Sequence, residues 1–273
     1  MQGQTETWRA ISRETASAAE HIGIGATALG RANHAQTAYY SQAFFSLSVG
    51  FERSCKLALS IASALEGRGF ADRKTLKGYG HDIVKLLEDV DKMAEHHGLT
   101  GDGRLPREQV HSAILDVLRK FADNLTRYYN LELAAGESAA AAEDPISAWF
   151  NCVTLLVLGE RDNESSRARR QQKAATLQGI EAIALVRHHA EDGTPITSLE
   201  AGAMHAGAVE FARPWERVHV LQIARFLAEV LSKLGTNAQS ITHPDIPYLG
   251  EFFAIYLNSD TYFRQRKTWS IYG

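Results

Sequence analysis

Between Ser41 and Leu65 the chain is apolar or small on every helical face, interrupted only by Glu52, Arg53 and Lys56. A helix that is apolar all round is a buried one. Burying a charge is costly unless it is paired and hydrogen-bonded, and Glu52 and Lys56 stand at the i,i+4 spacing that lets them meet. The pattern therefore predicts a central core helix with a polar cluster at mid-length. Before it, 5–28 reads as a first helix carrying Trp8, Ile11, Ala18 and Ile22 on one face, with a break at 33–35. Gly67 and Gly69 end the central helix, since glycine readily takes the left-handed cap. After a connector at 70–80, a helix starts near His81 and Asp82 with the stripe Ile83, Val84, Leu86, Leu87 and Val90. Pro106 suits the first turn of the next helix, which carries Val110, Ile114, Val117, Leu118, Phe121 and Leu125 and ends in a polar-aromatic run at 127–130.

The small, acidic stretch 134–144 reads as a linker. Beyond it, Pro145 opens a short apolar helix, and a charged run at 160–173 leads into a helix with Leu177, Ile180, Ile183, Ala184 and Val186. Two further helices are predicted at 197–212 and 214–234, then a short one at 249–257 and a basic-aromatic tail. The expected organisation is all-α: a helical bundle over 1–133, a linker at 134–144, and a second helical bundle over 145–273 packed on the first.

Composition changes this picture little. The chain is 45% hydrophobic and 22% charged, with a formal net charge of −3, so contact with nucleic acid needs a local basic patch. Cys55 and Cys152 lie in apolar helical stretches and read as buried free thiols, with no disulfide framework. No HExxH, CxxC or spaced carboxylate set is present, so neither metal nor cofactor is expected. The N-terminus lacks an apolar signal core and the apolar run 43–65 is broken by charges, which points to a cytoplasmic protein outside the membrane.

The order YYSQAFFSLSVGFERSCKLAL, a glycine-containing connector, then LKGYGHDIVKLL is similar to the HEPN superfamily of helical domains over about residues 35–130. Glu52, Arg53, Lys56, His81 and Asp82 match the family's pattern. The resemblance implies a HEPN-like bundle that acts on or binds RNA, of the kind found in prokaryotic toxin and antiphage systems. Active members are metal-independent ribonucleases with an arginine followed by a histidine, often sited across a dimer. Histidine shuttles protons near neutral pH, and arginine stabilises the charged phosphorane. Arg127 occupies the expected place but has no histidine downstream. Arg104–His111 and Arg213–His219 have suitable spacing, with Pro106 inside the first pair and Pro214 directly after the arginine of the second. The expected catalytic residues are His81, Arg127 and Arg53, supported by a polar cluster of Glu52, Lys56, Asp82 and Asn130. The alternative is a catalytically inactive HEPN-like module that dimerises or holds a partner protein, its charges forming an ion-pair network that fixes helix register. Arg167, Arg170 and Lys173 in the charged run are candidates for gripping an RNA backbone.

Overall fold

The computed structural model describes residues 5–99, 103–123, 128–136, 144–177 and 188–271. The chain is all-α, with helices packed into a bundle and one two-residue hairpin. Helix α1 (Glu6–Leu29) starts where the Thr5 hydroxyl accepts from the Trp8 amide. It runs antiparallel to α2 (Ala38–Leu65): Gly25 meets Leu47, while Gly50 meets Ile22. Their close approach needs glycine. A Cβ added at Gly50 would lie 2.7 Å from Ile22 Cγ1 and 2.9 Å from its backbone nitrogen.

Gly67 and Gly69 adopt φ of 80° and 77°, which stops α2 as the pattern predicts. A short helix α3 (Arg73–Gly78) lies within the expected connector. Asp82 then caps α4 (Ile83–His96), accepting from the Val84 and Lys85 amides. Pro106 precedes rather than opens α5 (Gln109–Ala122). Asp91 of α4 ties down the loop between them, accepting from Arg104 Nε (2.7 Å), the Leu105 amide (3.1 Å) and Arg107 Nη2 (2.9 Å).

After α6 (Tyr129–Ala134), α7 (Pro145–Trp149) passes through a π-helical turn, Phe150–Thr154, into α8 (Leu155–Arg161), and α9 (Glu164–Ala175) follows. The hairpin pairs β1 (His188–His189) with β2 (Pro195–Ile196). The two helices expected at 197–212 and 214–234 form one, α10 (Leu199–Ser240), with Pro214 inside it. A proline there removes one i→i−4 bond. Burial of Val209 and Ala212 before it, and of Val218 and Val220 after it, keeps the helix continuous. Helices α11 (Gly250–Phe253) and α12 (Asp260–Gln265) and the tail close over α1 and α10. One hydrophobic core runs through Ile11, Phe44, Leu87, Ile114, Trp149, Leu227, Phe253 and Trp269, drawing on residues from both sides of 134–144.

Cys55 is buried as expected, but Cys152 is exposed: it sits on the π turn, whose other side carries the buried Val153 and Thr154. Leu125, Arg127 and the apolar stripe at 180–186 lie outside the described residues. Among the described residues no helix is long and apolar enough to cross a membrane.

Candidate nucleic-acid interface

The sequence-predicted residues divide between two faces of α2. Glu52 Oε1 accepts from Lys56 Nζ at 2.8 Å and lies 2.9 Å from His81 Nδ1, so these three form one pairing network. Arg53, about 100° further round the helix, turns to α1 and donates to Glu14 Oε2 at 2.6 Å. It does not join His81. Asp82 is occupied with capping α4, Asn130 is exposed on α6, and Arg127 falls outside the described residues.

The charged run is largely self-paired. Arg170 donates to Asp162 Oδ2 at 2.6 Å and lies over the Phe211 ring, while Arg167 also reaches Asp162, at 3.3 Å. Among the described residues Lys173 alone of the three is exposed without an ion-pair partner. The tail folds back on its own chain: Trp269 stacks on Tyr256 and is buried. The two spaced arginine–histidine pairs do not close either. Arg104 binds Asp91 while His111 faces Gln222; Arg213 faces α2 while His219 faces α5.

A different set of residues converges where α2, the hairpin and α10 meet. Glu216 is fully buried and accepts from Trp149 Nε1 (3.2 Å), Thr154 Oγ1 (2.6 Å) and Arg213 Nη1 (2.7 Å). Residues five apart diverge by about 140° on a regular helix, so the wider π turn is what aims Trp149 and Thr154 at one carboxylate. Arg213 Nη2 donates to the Tyr40 hydroxyl at 2.6 Å, which donates to Glu191 Oε1 at 3.1 Å. The other oxygen of Glu191 pairs with His205 Nε2, and the rings of His205 and His188 both pack edge-on against His34.

These groups are electrostatically matched. Burial works against the Arg213 charge, yet Glu216 and Tyr40 beside it raise its pKa. Burial also opposes the charge of Glu191, but the bonds from His205 and Tyr40 hold its pKa below the usual value. The buried Tyr40 hydroxyl is pushed up and stays protonated. Burial lowers the pKa of His34, with His205 and His188 acting in the same direction against Glu191.

Above this relay opens a cleft of about 730 Å³. Its walls carry His34, Arg31, Arg213, Arg217, Arg264 and Lys267, with Glu210 as the opposing acid. Arg213 is neutralised by Glu216. Arg217 is not: it is only 4% exposed, and its Nε and Nη2 donate to the backbone carbonyls of Phe263 (3.4 Å) and Arg264 (3.1 Å). Its Nη1 makes no hydrogen bond among the described residues. Burial, with Arg213 nearby, drops its pKa to about 10. Gly30 makes room for it, since a Cβ there would lie 2.7 Å from Nη1. Arg264 of the lining also lies over the Trp215 ring, 4.9 Å from its centre, and Arg161 lies 4.6 Å from the same ring centre. Such an arrangement can hold a phosphate and present a neutral imidazole to the same ligand.

Nothing in the sequence flagged His34, Glu191 or His205, whose meeting depends on the hairpin. The run Arg213-Pro-Trp-Glu-Arg217 did carry a usable signal: like Glu52, Arg53 and Lys56, it places charges in an otherwise apolar helix. Comparison with protein-family models, curated proteins and solved structures finds no match to this chain.

Proposed function

We propose that this chain is a HEPN-like helical protein that binds RNA in the cleft between α1, α10 and the C-terminal tail, and cleaves it without a metal. The supporting observation is Arg217, a buried cation with no carboxylate partner among the described residues, facing a cleft with Arg31, Arg264 and Lys267. An unpaired buried charge is costly, and a bound phosphate offsets that cost. The guanidinium fork suits phosphate oxygens. In this reading neutral His34 takes the proton from the ribose 2′-hydroxyl as that oxygen attacks the adjacent phosphorus, and Arg217 stabilises the phosphorane. The P–O5′ bond then breaks to leave a 2′,3′-cyclic phosphate and a 5′-hydroxyl protonated from water. Glu191 and His205 hold the histidine cluster in place.

A second reading, an inert HEPN-like scaffold, is favoured by one observation: Glu52, Lys56 and His81 are paired with one another and Arg53 with Glu14. Incubation with short RNA in EDTA separates the two. Wild type should bind and cut, His34→Ala should bind without cutting, and Arg217→Ala should bind about tenfold more weakly and not cut. Binding without cleavage in the wild type would support a non-catalytic RNA-binding module. RNA bound equally by wild type and an Arg217→Ala, Lys267→Ala double variant would overturn the assignment of the cleft.

A further inference from the structure

On the other side of α10, two buried histidines face each other. His111, on the first turn of α5, and His219, in the middle of α10, are 1% and 2% exposed, and their rings pack edge-on. Gln222 lies between them. Its amide nitrogen donates to Asp260 Oδ2 at 2.9 Å, which turns its oxygen towards the imidazoles. That oxygen lies 2.7 Å from His111 Nε2 and 3.0 Å from His219 Nδ1. Because an amide oxygen only accepts, each ring commits one N–H to it. His111 Nδ1 and His219 Nε2 are left buried without a partner. A buried nitrogen lone pair without a donor is a costly arrangement. Burial lowers the pKa of His111, although the Gln222 bond opposes this.

The Glu108 carboxylate completes the group. One of its oxygens lies 3.9 Å from Nδ1 of His111 and 3.9 Å from Nδ1 of His219. Those separations are too long for hydrogen bonds. They exceed by about half an ångström the roughly 3.4 Å between two ligands of a tetrahedral zinc ion. One donor atom from each of the three residues falls within 4.8 Å of the others. The Glu108 side chain is 68% exposed, so it can swing inward, whereas the two rings are fixed by packing. A solvent opening of about 100 Å³ lined by Glu108, His111 and Gln222 gives an ion a way in. The arginines at its mouth do not fill the site: Arg104 is paired with Asp91 and Arg225 with Asp260.

We propose that Glu108, His111 and His219 bind one divalent transition-metal ion of the zinc type, clipping the start of α5 to the middle of α10. Two imidazoles and a carboxylate suit such an ion. Coordination through Nδ1 of His111 leaves its Nε2–H donating to Gln222, the outer-shell bond that orients metal-binding histidines. Coordination through Nδ1 of His219 replaces that ring's bond to Gln222 and shifts its proton to Nε2, so the ion satisfies His111 Nδ1 of the two unpartnered nitrogens. Gln222 Oε1, 3.0 Å from the same Nδ1, then stands where a neighbouring ligand would. The site is separate from the basic cleft, because residues 217 and 219 diverge by about 200° on α10.

The test is titration of the EDTA-stripped, dialysed full chain with Co²⁺, followed by visible absorption, and with Zn²⁺, followed by calorimetry and thermal unfolding. One equivalent of each should bind, Zn²⁺ should displace Co²⁺, and Zn²⁺ should raise the wild-type Tm. Glu108→Gln alters an exposed side chain and should keep the helical circular-dichroism spectrum while losing at least about tenfold in affinity. Gln222→Ala should lose about 10- to 100-fold, the usual effect of removing an outer-shell partner. Failure of the wild type to take up one equivalent, or unchanged binding by folded Glu108→Gln, would overturn the site.

Discussion

Among the described residues Arg217 carries its charge into the protein without a carboxylate partner, an arrangement that costs stability. Its pKa of about 10 means the charged form is disfavoured by folding, and at pH 7 that unfavourable contribution is fully present. Arg217→Met should therefore leave Tm close to wild type, relief of the buried charge offsetting the donors lost by the Phe263 and Arg264 carbonyls. The same variant should weaken RNA binding about tenfold and reduce the slope of log K against log salt by about 1. Gly30→Ala is the sharper probe, because it keeps every charge. Gly30 sits at a helical φ of −62°, so alanine is tolerated by the backbone, but its Cβ would displace the guanidinium. Equal RNA affinity in Gly30→Ala and wild type would mean that overall charge, not the position of Arg217, governs binding. For His34 the lowered pKa sets the sign of a pH profile. A base must be unprotonated, so the midpoint of the rise in cleavage rate should lie below the ordinary histidine value of about 6.5. A midpoint above that value would point to another group.

At the scale of elements, two contacts set the frame that holds both sites. The antiparallel α1–α2 pair depends on the absence of a side chain at Gly50, which meets Ile22 near its backbone nitrogen, an atom that cannot move aside. Gly50→Ala should cost about 1–3 kcal/mol by overpacking, read from denaturant midpoints, despite alanine's better helix propensity. Asp91, with its side chain 3% exposed, ties α4 to the loop that delivers Glu108 and His111. Burial opposes its charge, but Arg104, the Leu105 amide and Arg107 outweigh that and hold its pKa at about 2. An aspartate depressed from about 3.9 stabilises the fold above that pH, and the contribution fades as pH falls towards 2. Asp91→Asn should thus be destabilised by about 2 kcal/mol at pH 7, with the gap to wild type closing between pH 4 and 2. A gap independent of pH would show that Asp91 acts by shape rather than charge. The elements were largely legible from local pattern: the stripe after Asp82, its capping role, and Gly67 are all short-range signals. The break expected at Pro214 was not observed, because local backbone preference lost to tertiary burial on both sides of the proline.

Across the whole molecule, α10 is the common spine. Arg213 and Arg217 face the cleft from it, Glu216 anchors the buried relay, and His219 and Gln222 face α5. Of this, only the charges at 213–217 were legible, as polar positions in an apolar helix. The cleft itself gathers residues near 31, 217 and 265, and spacing along the chain says nothing about which distant segments meet. What the sequence did suggest, a linker at 134–144 between two bundles, implies a consequence that can be measured. Two independently stable bundles would unfold in separate steps. The core instead runs without interruption through Phe44 and Phe121 on one side of that stretch and Trp149 on the other, with both Phe121 and Trp149 within ring contact of Phe44. Helix α10 packs on α1, α2 and α5 as well as on α8, α9 and α12. When each half completes the other's core, neither buries enough apolar surface alone. The full chain should therefore unfold in one cooperative transition, with far-UV circular dichroism and tryptophan fluorescence coinciding. All four tryptophans contribute to that fluorescence: Trp8 lies before the linker, Trp149, Trp215 and Trp269 after it. The buried Trp149 sits against Phe44, so early loss of the first bundle would shift fluorescence ahead of the helical signal. Non-coincident curves would restore the two-bundle division, and coincident ones would mean that α10 binds both halves into one folding unit.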